Sequence, residues 1–239
     1  PTEEYLARQN NLDPHEVVNM QYTSGTTGFP KGVMLTHYNI GNNGFWVGEN
    51  QHLTEKDKIC VPVPLFHCFG CVMGVLGAVS HASTLVILEE FNPLLAMTSI
   101  HAERCTALYG VPTMFIAILE HSFFETFDYS SLRTGIMAGS PCPKKVMEQV
   151  IDKMNMRDVT ICYGLTETSP VISCNKVGDE RIGTVGYVMP EVTVGIQRLE
   201  DNEIIEQVSG DDPDQQVTSE AGEILVKGPN VMKGYWNMP

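Results

Sequence analysis

Eleven consecutive residues, Tyr22-Thr23-Ser24-Gly25-Thr26-Thr27-Gly28-Phe29-Pro30-Lys31-Gly32, combine small, hydroxylated and basic side chains in a way suited to holding phosphate. Gly25 and Gly28 permit backbone conformations that aim successive N–H groups at one anion. Thr23, Ser24, Thr26 and Thr27 add hydroxyl donors, and Lys31 supplies positive charge. Together these parts would cradle a polyphosphate. They do not form a Walker loop, which needs Gly directly before the Lys and Ser or Thr after it. Here Pro30 precedes Lys31 and Gly32 follows it.

A second group stands at Tyr163-Gly164-Leu165-Thr166-Glu167-Thr168-Ser169-Pro170. Its aromatic face could stack a base, its hydroxyl could touch a phosphate, and its carboxylate could hold magnesium. Proteins usually bind Mg²⁺ with one or two carboxylates alongside ligand phosphates. A third segment, Met137-Ala138-Gly139-Ser140-Pro141-Cys142-Pro143, is rich in small residues that let a ligand approach the backbone. A lone histidine, His67, sits in Pro64-Leu65-Phe66-His67-Cys68-Phe69-Gly70.

Positioning these groups requires a scaffold, and the chain alternates short apolar runs with longer helical stretches. Strands are predicted at 17–21, 59–63, 84–88, 106–109, 134–137 and 159–161, uniformly apolar as in strands covered on both faces. Helices are predicted at 38–49, 69–80, 93–103, 112–120 and 143–154, three of them opening with proline near the first turn. Strand alternating with helix predicts a parallel sheet, and ligands of such sheets bind at the carboxyl ends of the strands. After about Pro170 the texture changes: Gly178, Gly183, Gly186 and Gly195 recur, and 192–199 and 222–227 read as strands.

Composition excludes several function classes. A formal net charge of -14 argues against a nucleic-acid partner, and no Lys/Arg cluster offers a footprint for one. No apolar run is long enough for a transmembrane segment. The 7 cysteines follow no secreted disulfide framework and suit a reducing cytoplasm. Cys68 and Cys71 spell C-x-x-C, but without a second pair they read as core thiols rather than a zinc or redox site. Pro1 stands where an initiator Met would, and both ends read as cut from a longer parent.

The first two motifs, in this order, resemble signatures of the adenylate-forming (AMP-binding) superfamily: acyl-CoA synthetases, luciferases and peptide-synthetase adenylation domains. Val33-Met34-Leu35-Thr36-His37 is similar to the family's continuation of the first motif. Gly183-Thr184-Val185-Gly186, the segment from Gly222 to Gly228, and Gly234-Tyr235-Trp236 resemble its later structural motifs and read as scaffold. The similarity runs from about Val17 to Trp236, with the flavour of fatty acyl-CoA synthetases of the medium-chain group.

What the resemblance implies is specific. Thr23, Ser24, Gly25, Thr26, Thr27, Gly28 and Lys31 would hold the ATP phosphates. Tyr163, with Gly164 beside it, would pack on adenine, Thr166 would bind the α-phosphate, and Glu167 would hold Mg²⁺. Gly139, Ser140 and Pro141 would form a turn between the adenine and acyl pockets, and His67 would line the acyl channel. Lys31, Thr166 and Glu167 would carry the catalysis. Ala138 and Cys142 depart from the commoner pattern of that turn. Peptide-synthetase domains place an Asp near the histidine segment, whereas 66–72 holds no acid, which favours a plain fatty acid.

The implied reaction joins a fatty acid to AMP with release of pyrophosphate, after which coenzyme A displaces AMP. The implied fold is α/β, with layered sheets and helices, followed by a β-rich, barrel-like portion. Residues 1–170 would bind nucleotide and acyl chain, and 171–239 would form the β-rich part. A ribose-binding Asp and a small C-terminal domain with its catalytic lysine would lie beyond, so Lys31 is not that lysine and the chain alone is expected to be nearly inactive. Two other readings stay open: a non-catalytic nucleotide-binding module, and a P-loop NTPase, which Pro30 disfavours.

Overall fold

Side chains along each central strand point alternately to two opposite layers, and the chain supplies helices to cover both. The computed structural model describes residues 1–23, 29–178, 183–212 and 217–238. In chain order the elements are α1 (Glu3–Asn10), β1 (Val17–Thr23), β2 (Lys31–Thr36), α2 (His37–Asn50) and β3 (Lys58–Val61). A helix wound in the wider π form, Phe69–Leu76, continues as α3 (Gly77–Ser80). Then come β4 (Thr84–Ile87), α4 (Pro93–Glu103), β5 (Ala107–Gly110), α5 (Pro112–Leu119), β6 (Thr134–Ala138), α6 (Lys144–Met154) and β7 (Asp158–Gly164). The last strands are β8 (Val171–Cys174), β9 (Tyr187–Val188), β10 (Thr193–Gln197), β11 (Ile204–Ser209), β12 (Glu223–Lys227) and β13 (Gly234–Tyr235).

The largest sheet has seven strands in the order β4-β3-β5-β6-β7-β8-β9. Strands β4 through β7 run parallel, as the strand–helix alternation predicts, and β8 and β9 add antiparallel to the β7 side. Ile59, Val61, Tyr109, Ile136, Ala138 and Cys162 face one layer, with Val47 of α2 and Phe69 and Met73 of the π helix. Their neighbours Cys60, Leu108, Met137 and Ile161 face the other, with residues of α4, α5 and α6 such as Ile100, Phe115 and Val150. This two-residue alternation is the geometry of a strand buried on both faces.

One expectation fails. The strand at 17–21 does not join the parallel sheet; β1 pairs antiparallel with β2, and β13 closes a separate sheet in the order β1-β2-β13. The reason is the link between them. Residues 24–30 are too few for the parallel crossover, which needs a dozen or more, so the chain turns back as a hairpin. The β-rich portion forms an open three-stranded antiparallel sheet, β11-β10-β12, and no barrel closes among the described residues.

Helix boundaries follow local chemistry. Thr36 caps α2 reciprocally with Asn39: the Thr36 hydroxyl accepts from Asn39 N–H at 3.1 Å and Asn39 Oδ1 accepts from Thr36 N–H at 2.9 Å. Asn92 caps α4, and Pro93 and Pro112 open α4 and α5. All seven cysteines are free; Cys68 is buried, while Cys71 is half-buried and accepts from Gln21 Nε2 at 3.0 Å. No helix among the described residues is long and apolar enough to cross a membrane.

Candidate functional site

The loops that matter leave the carboxyl ends of neighbouring parallel strands. His67 follows β3, Gly139 follows β6, and the turn 164–170 follows β7. The β1–β2 hairpin sets Thr23 opposite Lys31, the pair that flanks its connecting residues. These pieces meet at one open cavity of about 460 Å³, lined by Thr23, Lys31, His67, Gly139, Gly164 and Thr166, with Glu167 and Tyr235 at its charged wall. A narrower apolar pocket of about 60 Å³ adjoins it, sharing His67, Gly139 and Gly164 and adding Phe69, Met73 and Tyr163.

Not every expected residue lines the larger cavity. Tyr163 faces the adjoining pocket, and also a cleft of about 590 Å³ against the sheet of β10 to β12. Ser140 and Pro141 sit exposed on the turn after β6 and line neither space. Ser24, Gly25, Thr26, Thr27 and Gly28 lie outside the described residues.

The turn 164–170 is held tightly. A Cβ on Gly164 would lie 1.7 Å from the Pro170 carbonyl oxygen, so only glycine allows the two ends of the turn to approach. Leu165 N–H donates to that same carbonyl at 3.0 Å. The Thr168 hydroxyl accepts from Leu165 N–H at 3.0 Å and donates to the Pro170 carbonyl at 2.7 Å. Ser169, fully buried, donates to the Asn230 carbonyl at 2.7 Å. With its base fixed this way, the turn projects Thr166 and Glu167 into the cavity.

Helix α2 anchors the surroundings from below. Asn39 Nδ2 donates to the carbonyls of Pro229 and Val231 at 2.6 and 3.0 Å. Asn43 binds both backbone groups of Val171, and Asn230 Nδ2 adds a third contact to the Val171 carbonyl at 3.2 Å. Because α2 begins directly after β2, the strand that carries Lys31, one rigid piece sets the lysine, the carboxylate turn and the approach to β13.

At the charged wall, the Tyr235 hydroxyl donates to Glu167 Oε1 at 2.8 Å, and the Lys31 ammonium lies 5.1 Å from the centre of the Tyr235 ring. Burial, then the hydrogen bond to Glu167 and its charge, push the Tyr235 phenol above its usual value, so it remains a donor. His67 Nδ1 accepts from Phe69 N–H at 3.0 Å, which places the proton of the neutral ring on Nε2. Desolvation lowers the His67 pKa and favours that neutral form.

Among the described residues no group of three or more His, Cys, Asp or Glu side chains could hold a metal ion. Among the described residues Glu167 is the single carboxylate lining the cavity. One carboxylate in an open, polar cavity fits magnesium that arrives with substrate phosphates, not a resident metal cage.

Sequence reasoning placed Thr23, Lys31, His67, Gly139, Gly164, Thr166 and Glu167, and the structure gathers them. It missed Tyr235, read as scaffold, and the asparagines of α2. No spacing signals Tyr235; only the pairing of β13 with β2 brings it to Glu167.

Comparison with known proteins follows the same lines. The sequence profile of a family described as AMP-binding enzyme matches residues 2–236. Putative acyl-CoA synthetase YngI of Bacillus subtilis (strain 168) is 48% identical over 232 residues, which cover 96% of this chain and 40% of that protein. The mitochondrial medium-chain acyl-CoA ligase ACSF2 of Mus musculus is 37% identical over 239 residues, covering 97% of this chain and 37% of its own length. Among solved structures, ATP-bound MatB from Rhodopseudomonas palustris superposes with a TM-score of 0.82 at 28% identity, over 96% of this chain and 43% of MatB. A long-chain-fatty-acid-CoA ligase (FadD1) from Archaeoglobus fulgidus gives 0.80 at 26% identity, over 95% and 45%. The chain thus spans about 40% of the length of the first curated relative.

Proposed function

Because the chain belongs to the AMP-binding enzyme family, we propose that its parent protein is an AMP-forming fatty acyl-CoA synthetase and that the cavity between β2, the β7–β8 turn and β13 binds ATP with its magnesium. The observation that carries this reading is the convergence of Thr23, Lys31, Thr166 and Glu167, from three separate segments, on one cavity. Relatives named as medium-chain and long-chain-fatty-acid ligases support a fatty acid as the acid.

In the first step a carboxylate attacks the α-phosphate, forming acyl-AMP and releasing pyrophosphate; in the second the thiol of coenzyme A displaces AMP. Two anions must meet, so charge neutralisation and positioning dominate the barrier. Lys31, with Thr23 and the hydroxyls and glycines of 24–28, holds the departing phosphates. An ammonium about 4 Å from a phosphate charge contributes roughly 4 kcal/mol at an effective dielectric constant of about 20. Thr166 holds the α-phosphate, and Glu167 offers its carboxylate to the magnesium that accompanies ATP. Tyr163 packs against the adenine, Gly139, which lines both spaces, forms the rim between base and acyl chain, and His67 with Phe69 and Met73 opens the acyl path. The free cysteines, suited to a reducing compartment, favour a cytoplasmic setting and take no part in the chemistry.

The test is acid-dependent ATP–pyrophosphate exchange by the full-length protein across acetate to palmitate and the amino acids. Exchange with a fatty acid, abolished by Glu167→Ala, is expected. ATP binding without exchange for any acid would overturn the reading in favour of a non-catalytic nucleotide-binding module.

A further inference from the structure

Lys31 and Glu167 carry opposite charges on the wall of one cavity, yet they form no ion pair with each other. Tyr235 stands between them. Its ring receives the Lys31 ammonium at 5.1 Å and its hydroxyl donates to Glu167 Oε1 at 2.8 Å. Of the two carboxylate oxygens, the phenol takes Oε1.

Both partners of the tyrosine are fixed to the same strip of chain. Tyr235 pairs with Val33 of β2, two residues beyond Lys31, and Trp236 N–H donates to the Gly32 carbonyl at 2.8 Å. On the other side, Met232 N–H donates to the Glu167 carbonyl at 2.8 Å. Residues 232–236 therefore clamp the lysine strand to the carboxylate turn, and the phenol projects between their side chains.

We propose that Tyr235 is a positioning residue that holds Lys31 and Glu167 apart and pre-oriented, leaving Glu167 Oε2 for the cation of metal–ATP. The inference rests on the nucleotide reading above. Paired to each other, the two charges would have to separate before the polyphosphate and its metal could bind. Held by the phenol, each keeps a set direction and stays available. The ring serves the lysine and the hydroxyl serves the carboxylate, so the two contacts can be removed separately.

Tyr235→Phe keeps the ring and deletes the hydroxyl; Tyr235→Leu deletes both. In the full-length protein, Mn²⁺ binding to the protein–ATP complex is measured by electron paramagnetic resonance. ATP binding in EDTA is measured by calorimetry, and the Mg²⁺ dependence of pyrophosphate exchange is followed alongside thermal melting. Tyr235→Phe is expected to weaken Mn²⁺ binding and raise the half-saturating Mg²⁺ about tenfold, the worth of one hydrogen bond to a charged group. Its metal-free ATP affinity stays within about twofold, because the cation–π contact survives. Tyr235→Leu weakens both.

A Tyr235→Phe protein with wild-type Mn²⁺ affinity, whatever its melting temperature, makes the tyrosine scaffold and overturns the proposal while leaving the proposed function standing. A wild-type protein that neither binds metal–ATP nor exchanges pyrophosphate overturns both together.

Discussion

Asn43 grips Val171 by both of its backbone groups: Nδ2 donates to the carbonyl at 2.8 Å and Oδ1 accepts from the N–H at 3.1 Å, across 128 positions of sequence. Asn43 is buried in α2, and Val171 begins β8 directly after the turn that carries Glu167. Asn43→Ala strands the Val171 N–H and weakens the hold on its carbonyl, which keeps the Asn230 contact. The expected loss is about 1–3 kcal/mol of stability, read from the urea midpoint. Asn43→Asp, which turns a carboxylate oxygen toward the carbonyl, is at least as damaging.

Two glycines give opposite outcomes. Gly164→Ala drives a methyl against the Pro170 carbonyl, so the turn must open and Glu167 must move. Pyrophosphate exchange is expected to fall by more than about tenfold, since a shift near 1 Å at a positioned group can cost about a hundredfold. Gly41, exposed on α2, has nothing within 4 Å of an added Cβ. Gly41→Ala is expected to stabilise by about 0.5–1 kcal/mol through helix propensity and to leave exchange unchanged.

Removing the carboxylate separates metal from nucleotide. Glu167→Gln retains an acceptor for the Tyr235 hydroxyl and loses the charge. Exchange is expected to drop at least about a hundredfold, the scale of losing one electrostatic stabiliser. Calorimetric ATP binding in EDTA is expected to stay within about twofold.

Acid sensitivity traces to Asp57. Its burial raises its pKa, but hydrogen bonds from Arg133, Thr106 and Thr54 and the Arg133 charge outweigh burial and hold it below the usual carboxylate value. Arg133 reaches both carboxylate oxygens, at 3.1 and 2.9 Å. A depressed folded-state pKa means that the folded protein binds fewer protons here than the unfolded chain. The stabilisation is therefore complete above the unfolded value near about 3.9 and is lost as pH falls through the lower folded value. Asp57→Asn is expected to lose about 2–4 kcal/mol of stability at pH 7 and so to melt earlier, with a flatter pH dependence of melting below about pH 4. Arg133 is 34% exposed, which keeps the figure under that of a fully buried pair.

Much of this was legible in the residues themselves. Runs such as Ile59 to Val61 are apolar at every position because both faces of the sheet are covered, and helix starts such as Pro93 announce their own boundaries. The candidate site was readable where its chemistry is local: Lys31 beside small residues, Thr166 and Glu167 behind a strand. What depended on long-range pairing was not. The run from Lys31 to Thr36 holds Lys, Gly and Thr beside its apolar residues and reads as a motif; its strand character comes from β1 and β13 on either side. Four short residues, Val171 to Cys174, form a strand because β7 lies alongside. Tyr235 gains its place from the same kind of partner.

Strand β13 also imposes an order in time. A ribosome releases β1, β2 and α2 early and reaches Tyr235 only 68 residues after Glu167. Until then β2 offers one bare row of N–H and C=O groups, the kind of open edge on which a nascent chain can find a wrong partner. Arrival of β13 closes that edge and delivers the phenol to Glu167 in a single event. A growing polypeptide thus leaves its vulnerable stage and brings Lys31, Tyr235 and Glu167 together on their cavity wall at the same moment of synthesis.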